Sequence, residues 1–473
     1  MVPPETRSHM MVFPFPAQGH LLPLLDLTHQ LCLRGVNVSV IITPQNLQYL
    51  SPLLSAHPSS VTSVVFPFPP HPSLPPGVEN VKDLGNSGNL PIMSSLRQLR
   101  DPITLWFRSH QSPPVALVSD FFLGWTHDLC HQIGIPRFAF FSSGPFLASV
   151  LQFCFDHIKS RTKDPVRFSD LPGAPVFEED HLPSVFRRSL QSPSRDLETV
   201  KAESSMNFLS YGCVFNTAEC LEAEYVEYVK QRVGHDRVFG IGPLCLLGLD
   251  QVGTVRSSSC PLLSWLDGCP ERSVLYICFG SQKALTKEQC DALALGLEKS
   301  LTRFVWVVKK DPVTEGFEER VAGRGVVVRG WAPQLEVLRH VAVGGFLSHC
   351  GWNSVLEGLT SGTMILGWPM EADQFVNARL LVEDLDVAVR VCEGDGTVPD
   401  PVELGRVIGE TMGESGRELG ARAEEMRRKL VGSVTEGSSF ADLERLAQKI
   451  LLLSIWYGIY PGNRSYFYGK EQA

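Results

Sequence analysis

Short apolar segments alternate with segments of helical periodicity along most of the chain, and this alternation limits the possible folds more than any other feature. The first unit is an apolar run from His9 to Pro16, followed by a helical pattern that ends at Gly35. The later strand-like segments are unbroken apolar runs, which is typical of parallel strands buried on both faces. The pattern predicts a doubly wound α/β architecture.

The alternation is interrupted once, between residues 247 and 259, where the sequence loses its periodicity and is rich in Gly and Ser. It starts again at Ser273, and a chain of 473 residues is long enough for two domains. For the last segment, after an amphipathic terminal helix, we expect disorder. The predicted divisions are an N-terminal domain over 1–246, a linker over 247–259, a C-terminal domain over 260–455 and a tail over 456–473.

The composition excludes several classes of protein. Hydrophobic residues make up 44% and charged residues 20%, which is typical of a globular protein. The 42 Lys and Arg against 51 Asp and Glu leave a net charge of −9 without a basic block, so nucleic acid is not an expected partner. We find neither a signal peptide nor a membrane-spanning stretch. The 12 cysteines form no Cys-x-x-Cys pair, so we expect reduced thiols in a cytoplasmic protein.

The most informative motif lies between Trp331 and Gln374, where an apolar strand leads into Ser-His-Cys-Gly-Trp-Asn-Ser and a predicted helix. A helix that starts after a parallel strand can bind an anion, because its free N–H groups and dipole point at the ligand. Three further donors lie there: His349, Asn353 and Ser354. The same residues also permit a capping box between Ser354 and Glu357, which needs no ligand. The spacing alone leaves both interpretations open.

As a whole, this block resembles the donor-binding signature of plant family 1 UDP-glycosyltransferases. Trp, Ala-Pro-Gln, His-Cys-Gly-Trp-Asn-Ser, Glu, Pro and a final Asp-Gln stand at the spacings of that signature. Pro14-Phe-Pro-Ala-Gln-Gly-His, Val118-Ser-Asp and Phe279-Gly-Ser also look like that family, whereas residues 164–207 diverge. The resemblance implies two facing Rossmann-like domains of the GT-B type. The second domain would hold the nucleotide sugar and the first the acceptor, with the terminal helix packing back on the first.

The resemblance also implies a role for each polar position of the donor site. Trp331 would stack on uracil, the Ala332 backbone and Gln334 would hold the base and ribose, and Glu357 would accept hydrogen bonds from the ribose. The residues that would contact the diphosphate are His349, Asn353, Ser354 and Ser281. Those that would hold the sugar are Ser142, Trp352, Asp373 and Gln374.

The candidate catalytic base is His20, at the start of the helix that follows the first predicted strand. Without the resemblance, a histidine at a helix start is more often a polar cap. The resemblance favours a base that removes the proton of the acceptor hydroxyl, with Asp120 orienting the imidazole. It implies an inverting, single in-line displacement, in which an α-linked donor yields a β-glycoside.

We expect no metal and no cofactor besides the co-substrate UDP-glucose. Asp384-Leu-Asp386 has the spacing of the carboxylate pair that other glycosyltransferases use for a metal, but a solvated helix end explains it more simply. The chain has no Gly-x-Gly-x-x-Gly and no Walker loop. Ser142-Ser143-Gly144 lacks the Gly-x-Ser-x-Gly spacing of a nucleophile turn, which argues against a hydrolase.

The predicted reaction is glucose transfer by a monomer to a small phenolic acceptor of flavonoid or benzoate type. The acceptor pocket is expected near Phe122, Phe146 and the segment 67–76. The amide of Gln374 and the carboxylate of Asp373 would hold neighbouring hydroxyls of glucose. In the family that the sequence resembles, His at that position often accompanies galactose, and it can accompany rhamnose. UDP-rhamnose and UDP-xylose stay alternatives, as does a nucleotide-sugar-binding protein without catalysis, which would have no use for the His–Asp pair.

Overall fold

The computed structural model describes residues 8–159, 164–191, 195–249, 261–280, 283–309 and 312–459. The strands in these residues are β1 (His9–Phe13), β2 (Asn37–Ile42), β3 (Val61–Val65), β4 (Leu117–Asp120), β5 (Arg137–Phe141), β6 (Val166–Arg167), β7 (Val176–Phe177), β8 (Gly212–Phe215), β9 (Val238–Gly240), β10 (Val274–Cys278), β11 (Arg303–Val308), β12 (Gly325–Arg329), β13 (Val343–Ser348), β14 (Met364–Gly367) and β15 (Ala388–Arg390).

Helices follow most of these strands, and short 3₁₀ turns complete the connections. The α-helices are α1 (Gln18–Leu33), α2 (Ser51–Ala56), α3 (Asn89–Arg97), α4 (Arg100–Ser109), α5 (Thr126–Ile133), α6 (Pro145–His157), α7 (Ser184–Gln191), α8 (Arg195–Phe208), α9 (Glu219–Val233), α10 (Pro261–Asp267), α11 (Lys287–Ser300), α12 (Phe317–Arg320), α13 (Gln334–Leu338), α14 (Trp352–Thr360), α15 (Gln374–Arg379), α16 (Pro401–Met412), α17 (Arg417–Thr435) and α18 (Ser438–Ile459). None of the described helices is long and apolar enough to cross a membrane.

Two parallel sheets form the two domains, as the alternation predicts. The first has the order β3-β2-β1-β4-β5-β8-β9 and the second the order β12-β11-β10-β13-β14-β15. In each sheet the strand order reverses at one point, between β1 and β4 and between β10 and β13. Ligands of such sheets bind outside the carboxyl ends of the strands at this switch point. The topology therefore places a site after β1 and β4 in one domain and after β10 and β13 in the other.

The strands at both switch points are almost wholly buried, which explains their continuous apolar sequences. Four of the five residues of β1 and all residues of β4 and β13 are buried. Residues of β1 and β4 pair directly, with Val12 opposite Val118 and Phe13 opposite Ser119. The polar residues that follow these strands are consequently held at neighbouring positions on one edge of the sheet.

The terminal helix α18 packs on the first domain, which confirms the expectation from the resemblance. Its Leu446 and Ile450 are fully buried in the first domain's core, and the Ser8 hydroxyl donates to the Ile450 carbonyl at 3.1 Å. The helix continues to Ile459, so the tail predicted from residue 456 begins inside it. Tyr457 accounts for the difference, since its buried hydroxyl donates to Gly134 O at 2.9 Å. Residues 460–473 and the linker residues 250–259 lie outside the described residues.

The two domains share a hydrophobic cluster below the cleft between them. It joins Phe146 and Leu151 of α6 to Trp352 of α14 and Val376 of α15. Phe146 is 1% exposed, so it belongs to this shared core and not to the wall of the acceptor pocket where we expected it. The shared core holds the carboxyl ends of the two sheets against each other.

Candidate active site

A cavity of about 430 Å³ lies between the carboxyl ends of the two sheets. Residues of both domains line it, among them His20, Ser142, Trp331, His349, Glu357 and Gln374. Segment 67–76, which we expected at the acceptor pocket, is not among the lining residues. The cavity thus lies at the switch points of both sheets. These switch points are more than 200 residues apart in the sequence.

His20 and Asp120 form a hydrogen-bonded pair in the first-domain wall. His20 lies in the first turn of α1, and its Nδ1 is 3.0 Å from Oδ2 and 3.1 Å from Oδ1 of Asp120. Asp120 ends β4, is fully buried, and accepts the Phe122 N–H through Oδ1 at 2.9 Å. Since the carboxylate engages Nδ1, Nε2 is the nitrogen left for a reacting group. The pair has the geometry of a base with its orienting carboxylate.

Aromatic rings hold the imidazole of His20 in place. The Phe121 ring stacks on it at 5.3 Å with an interplanar angle of 22°, and the Phe122 ring lies at 4.7 Å. Phe15 packs against its edge at 5.4 Å. These rings also give the first-domain side of the cavity an apolar surface suited to a flat aromatic ligand.

Arg137 stabilises the turn after β4, residues 120–123, and the sequence analysis missed this residue. Its guanidinium is fully buried and donates to the carbonyls of Asp120 and Leu123 at 3.3 and 3.4 Å and to Asn207 Oδ1 at 3.0 Å. A charged residue at the start of an apolar strand was the available signal. Nothing in the sequence, however, shows that β5 lies beside β4.

On the second domain, Glu357 and Ser354 do not form the capping box that the spacing permits. The N-cap of α14 is Gly351, which places Ser354 inside the first turn, and Glu357 Oε2 instead accepts from Gln334 Nε2 at 2.5 Å. The same Gln334 nitrogen is 3.3 Å from Ser354 Oγ. Burial raises the pKa of Glu357, and the hydrogen bond from Gln334 opposes that shift. These three residues form one polar cluster in the cavity wall.

His349 packs against the turn after β10. Gly280 in that turn has φ +76°, and a Cβ there would lie 2.7 Å from Cε1 and Nε2 of His349, so only glycine allows this approach. Burial, aided by the charge of Lys309, lowers the pKa of His349 to about 4. The ring is therefore neutral near pH 7. Ser281, the next residue of the turn, lies outside the described residues.

Two residues expected to bind the donor instead bond to the first domain. The Trp352 indole N–H donates to Asn216 O at 2.7 Å, and the side chain is 4% exposed. Indole has no second polar atom, so this side chain leaves no polar group for a sugar hydroxyl, and the role predicted for Trp352 stays a prediction. Asn353 Nδ2 donates to Gly19 O at 3.0 Å, next to His20. One of its two amide hydrogens therefore joins the domains, and the other stays available to a ligand.

Asp373 ends the connection between β14 and α15, and Gln374 is the first residue of α15. Gln374 Oε1 accepts the N–H groups of Met370 and Glu371 at 2.9 and 3.0 Å, so only its Nε2 hydrogens are left for a ligand. The acceptor that we predicted for this amide is therefore taken by the protein backbone, and its donor role stays a prediction. Asp373 Oδ2 accepts from Asn377 Nδ2 at 2.7 Å. Burial raises the pKa of Asp373.

The indole ring of Trp331 lies exposed at the rim of the cavity. Trp331 is 82% exposed and lies next to the buried Ala332. Ser142 follows β5 on the opposite wall and is 5% exposed. The structure therefore brings every described residue of the predicted donor site to one cavity, although Trp352 and Gln374 present fewer polar atoms than expected.

The cavity also contains charged and polar residues that the sequence analysis missed. Lys283 and Lys309 line the second-domain side, and Asn86 and Asn89 line the first-domain side. Lys309 follows β11 directly, so the end of an apolar strand was the available signal. The Lys309 ammonium places a positive charge near His349, where an anionic ligand would be stabilised, whereas the Lys283 ammonium is paired with Asp395.

Asp384 and Asp386 are engaged in ion pairs away from the cavity. Asp384 Oδ2 lies 2.9 Å from Arg379 Nη1, and Asp386 Oδ2 lies 3.3 Å from Arg422 Nε. Within the described ranges, no three His, Cys, Asp or Glu side chains are grouped so that they could hold a metal ion.

Comparisons with known proteins agree on one family. Residues 251–394 match the model of the family described as UDP-glucoronosyl and UDP-glucosyl transferase. UDP-glycosyltransferase 89A2 of Arabidopsis thaliana is 74% identical over 455 residues, which cover 94% of this chain and 98% of that protein. Flavonol 3-O-glucosyltransferase UGT89B1 of the same plant is 44% identical over 468 residues, covering 95% and 98%.

Solved structures agree with the fold. Arabidopsis thaliana UGT89C1 complexed with UDP-L-rhamnose matches with a TM-score of 0.78 and 37% identity, covering 94% of this chain and 99% of that one. The same protein complexed with quercetin matches with a TM-score of 0.77 and 36% identity, covering 94% and 100%. The two facing Rossmann-like domains implied by the sequence resemblance are thereby confirmed.

Proposed function

We infer the reaction from one premise: this chain belongs to plant family 1 of the UDP-glycosyltransferases. Within that family, we propose an inverting transfer of glucose from UDP-glucose to a hydroxyl of a phenolic acceptor. The observation that carries the proposal is the His20–Asp120 pair, whose free Nε2 belongs to the same cavity as the donor-site residues.

In the proposed step, His20 Nε2 takes the proton of the acceptor hydroxyl as its oxygen attacks the anomeric carbon. The bond between that carbon and the β-phosphate oxygen breaks, and UDP leaves with the bonding electrons. The imidazolium that forms is stabilised by the Asp120 carboxylate 3.0 Å from Nδ1. Because displacement occurs once and from the opposite face, the configuration inverts.

The leaving diphosphate would be stabilised without a metal ion. The N-terminus of α14, residues 351–354, lines the cavity and would supply backbone N–H groups, and the neutral His349 can donate one N–H. Lys309 would add the positive charge that these neutral donors lack. UDP is a good leaving group, so one base is sufficient and no general acid is required.

The proposal of glucose rests on the turn that holds Asp373 and Gln374. The Nε2 hydrogens of Gln374 and the Asp373 carboxylate are a donor and an acceptor suited to neighbouring sugar hydroxyls. A second candidate is rhamnose, because a structural relative with 37% identity was crystallised with UDP-L-rhamnose. UDP-rhamnose lacks the outer hydroxyl of glucose, so a site that binds this hydroxyl would discriminate against it.

A flavonol is the proposed acceptor. Phe121 and Phe122 form an apolar wall beside His20, while Asn86 and Asn89 can bond to hydroxyls at a distance from the reacting one. One relative is named a flavonol 3-O-glucosyltransferase, and another was crystallised with quercetin. We also propose a cytoplasmic monomer; the cytoplasmic location is supported by the described cysteines, which form no disulfide, as in a reducing compartment.

The experiment is a competition assay with a panel of flavonols, simple phenols and benzoates. Each acceptor is incubated with equal concentrations of UDP-glucose, UDP-rhamnose, UDP-xylose and UDP-galactose, and the products are identified by mass spectrometry. We expect glucosides of flavonols to dominate. A rhamnoside as the main product would overturn the assignment of glucose. Binding of UDP without any glycoside would instead favour the non-catalytic nucleotide-sugar-binding protein.

A further inference from the structure

A segment of the first domain, residues 181–188, contacts the turn of the second domain that holds Asp373 and Gln374. We call these two regions the bridging segment and the sugar turn (residues 371–375). The Ser184 N–H donates to Ala372 O at 3.3 Å, and Arg188 Nη2 lies 3.8 Å from Glu371 Oε2. The His181 ring stacks on the Phe375 ring at 4.3 Å with an interplanar angle of 10°.

The sugar turn needs such support because of its backbone. Ala372 has φ +56°, in the left-handed region that costs a residue with a Cβ about 1 kcal/mol or more. The carbonyl that accepts from Ser184 belongs to this same residue. Since Gln374 Oε1 bonds to the N–H groups of Met370 and Glu371, its amide moves with the turn. A shift of Ala372 would therefore reorient the groups that face the sugar.

The bridging segment reaches the acceptor side as well. Arg188 Nη1 donates to the carbonyl of Asn86 at 2.5 Å, and Asn86, Pro183 and Val185 line the cavity. Arg188 thus spans the two domains, with one nitrogen on the acceptor wall and the other near the sugar turn.

We propose that Ser184 and Arg188 are positioning residues for the donor sugar. They would act through the sugar turn, so that a segment of the acceptor domain helps to select the sugar. This inference rests on the proposed function, because it concerns the same sugar subsite. UDP alone has no sugar and makes no use of the turn. The proposal therefore separates UDP binding from UDP-glucose binding.

The first test removes one backbone hydrogen bond. Ser184 is the first residue of α7, where proline is well tolerated, so Ser184→Pro deletes the N–H without breaking the helix. Ser184→Ala removes only the hydroxyl and keeps the N–H. Calorimetry measures the Kd of UDP and of UDP-glucose for both variants. We expect Ser184→Pro to weaken the binding of UDP-glucose by about 2- to 10-fold and to leave the Kd of UDP unchanged. Ser184→Ala should keep the wild-type ratio of the two Kd values.

The second test reverses a charge and restores it. Arg188→Glu should raise the KM of UDP-glucose by about 2- to 5-fold, and Arg188→Glu with Glu371→Arg should recover part of that loss. Arg232→Glu is the matched control, because Arg232 is exposed to the same extent, 36%, and pairs with Asp156. The ratio of glucoside to rhamnoside formed from a mixture of UDP-glucose and UDP-rhamnose is a further readout. A non-specific loss of stability or activity would not change this ratio.

The outcomes distinguish this inference from the proposed function. If Ser184→Pro and Arg188→Glu leave the ratio of the UDP-glucose Kd to the UDP Kd at its wild-type value and do not change the product ratio, the inference is overturned. If UDP and UDP-glucose weaken equally, the bridging segment supports the whole cleft and not the sugar turn, which also overturns it. If the wild type binds no UDP-sugar, the proposed function itself fails.

Discussion

Replacing Asp120 by Asn tests the proposed base more sharply than replacing His20 itself. The carboxylate has two relevant contacts, with His20 Nδ1 at 3.0 and 3.1 Å and with the Phe122 N–H at 2.9 Å. Asn can keep an oxygen at the Oδ1 position and so preserve the bond to Phe122. It places an NH₂ group where Oδ2 stood. This donor would face the N–H of His20 Nδ1, so the hydrogen bond to the imidazole would be lost.

The magnitude follows from what the substitution removes. A hydrogen bond between a charged pair contributes roughly 1.5–3 kcal/mol, which corresponds to about 10- to 10²-fold in rate. Asp120→Asn should lower kcat/KM by this factor, because the imidazolium loses its anionic partner. His20→Ala should lose about 10²-fold or more, since no base is left. In a His20→Ala background, Asp120→Asn should cost less than about 2-fold more, because Asp120 acts through the imidazole.

The assay is steady-state glycoside formation for the four members of this double-mutant cycle, with the Kd of UDP as the control. UDP should bind all four alike, because its proposed site lies in the second domain. If Asp120→Asn costs the same factor with and without His20, Asp120 acts through the Phe122 turn and the proposed pair is refuted. Near-normal turnover of His20→Ala would refute the base directly.

Three further predictions concern other parts of the cavity and the core. Activity should persist in excess EDTA, because backbone N–H groups, His349 and Lys309 stabilise the leaving group; loss that Mn²⁺ or Mg²⁺ restores would contradict this mechanism. Trp331→Ala should weaken UDP binding by roughly 10-fold through loss of stacking, while UDP and UDP-glucose keep their relative affinities; unchanged affinity in calorimetry would exclude the stacking role. Burial raises the pKa of Glu222 from 4.5 to about 7, so the stability that its protonated form contributes is present below pH 4.5 and is lost as the pH rises through 7. Glu222→Gln should therefore lose less thermal stability than the wild type between pH 4.5 and pH 8, and parallel melting curves would show that Glu222 does not titrate in that range.

The elements and the location of the site could be predicted because they depend on local patterns. Buried parallel strands are continuous apolar runs, and residues that follow β1, β4, β10 and β13 must meet once the strands pair. The block from Trp331 to Gln374 located the second-domain wall of the cavity because its residue types and spacings are specific.

Hydrogen-bond partners distant in sequence could not be predicted. The indole N–H of Trp352 bonds to the Asn216 carbonyl, 136 residues earlier in the chain, and no local pattern predicts that contact. The Gln374 oxygen is bound by its own turn, which only the backbone path reveals. Lys309 and Arg137 were missed for the same reason, since each becomes significant only once the sheet places its strand near that of His349 or Asp120.

The return of α18 to the first domain makes that domain discontinuous in sequence. The chain passes between the domains once between residues 249 and 261 and again between α17 and α18. The two domains are therefore connected by the chain at two places. A protease cut within residues 250–260 would leave two fragments, and the second would still carry the helix that buries Leu446 and Ile450 in the first. The nicked protein should therefore stay assembled, and an isolated first domain would need α18 supplied in trans or fused to it.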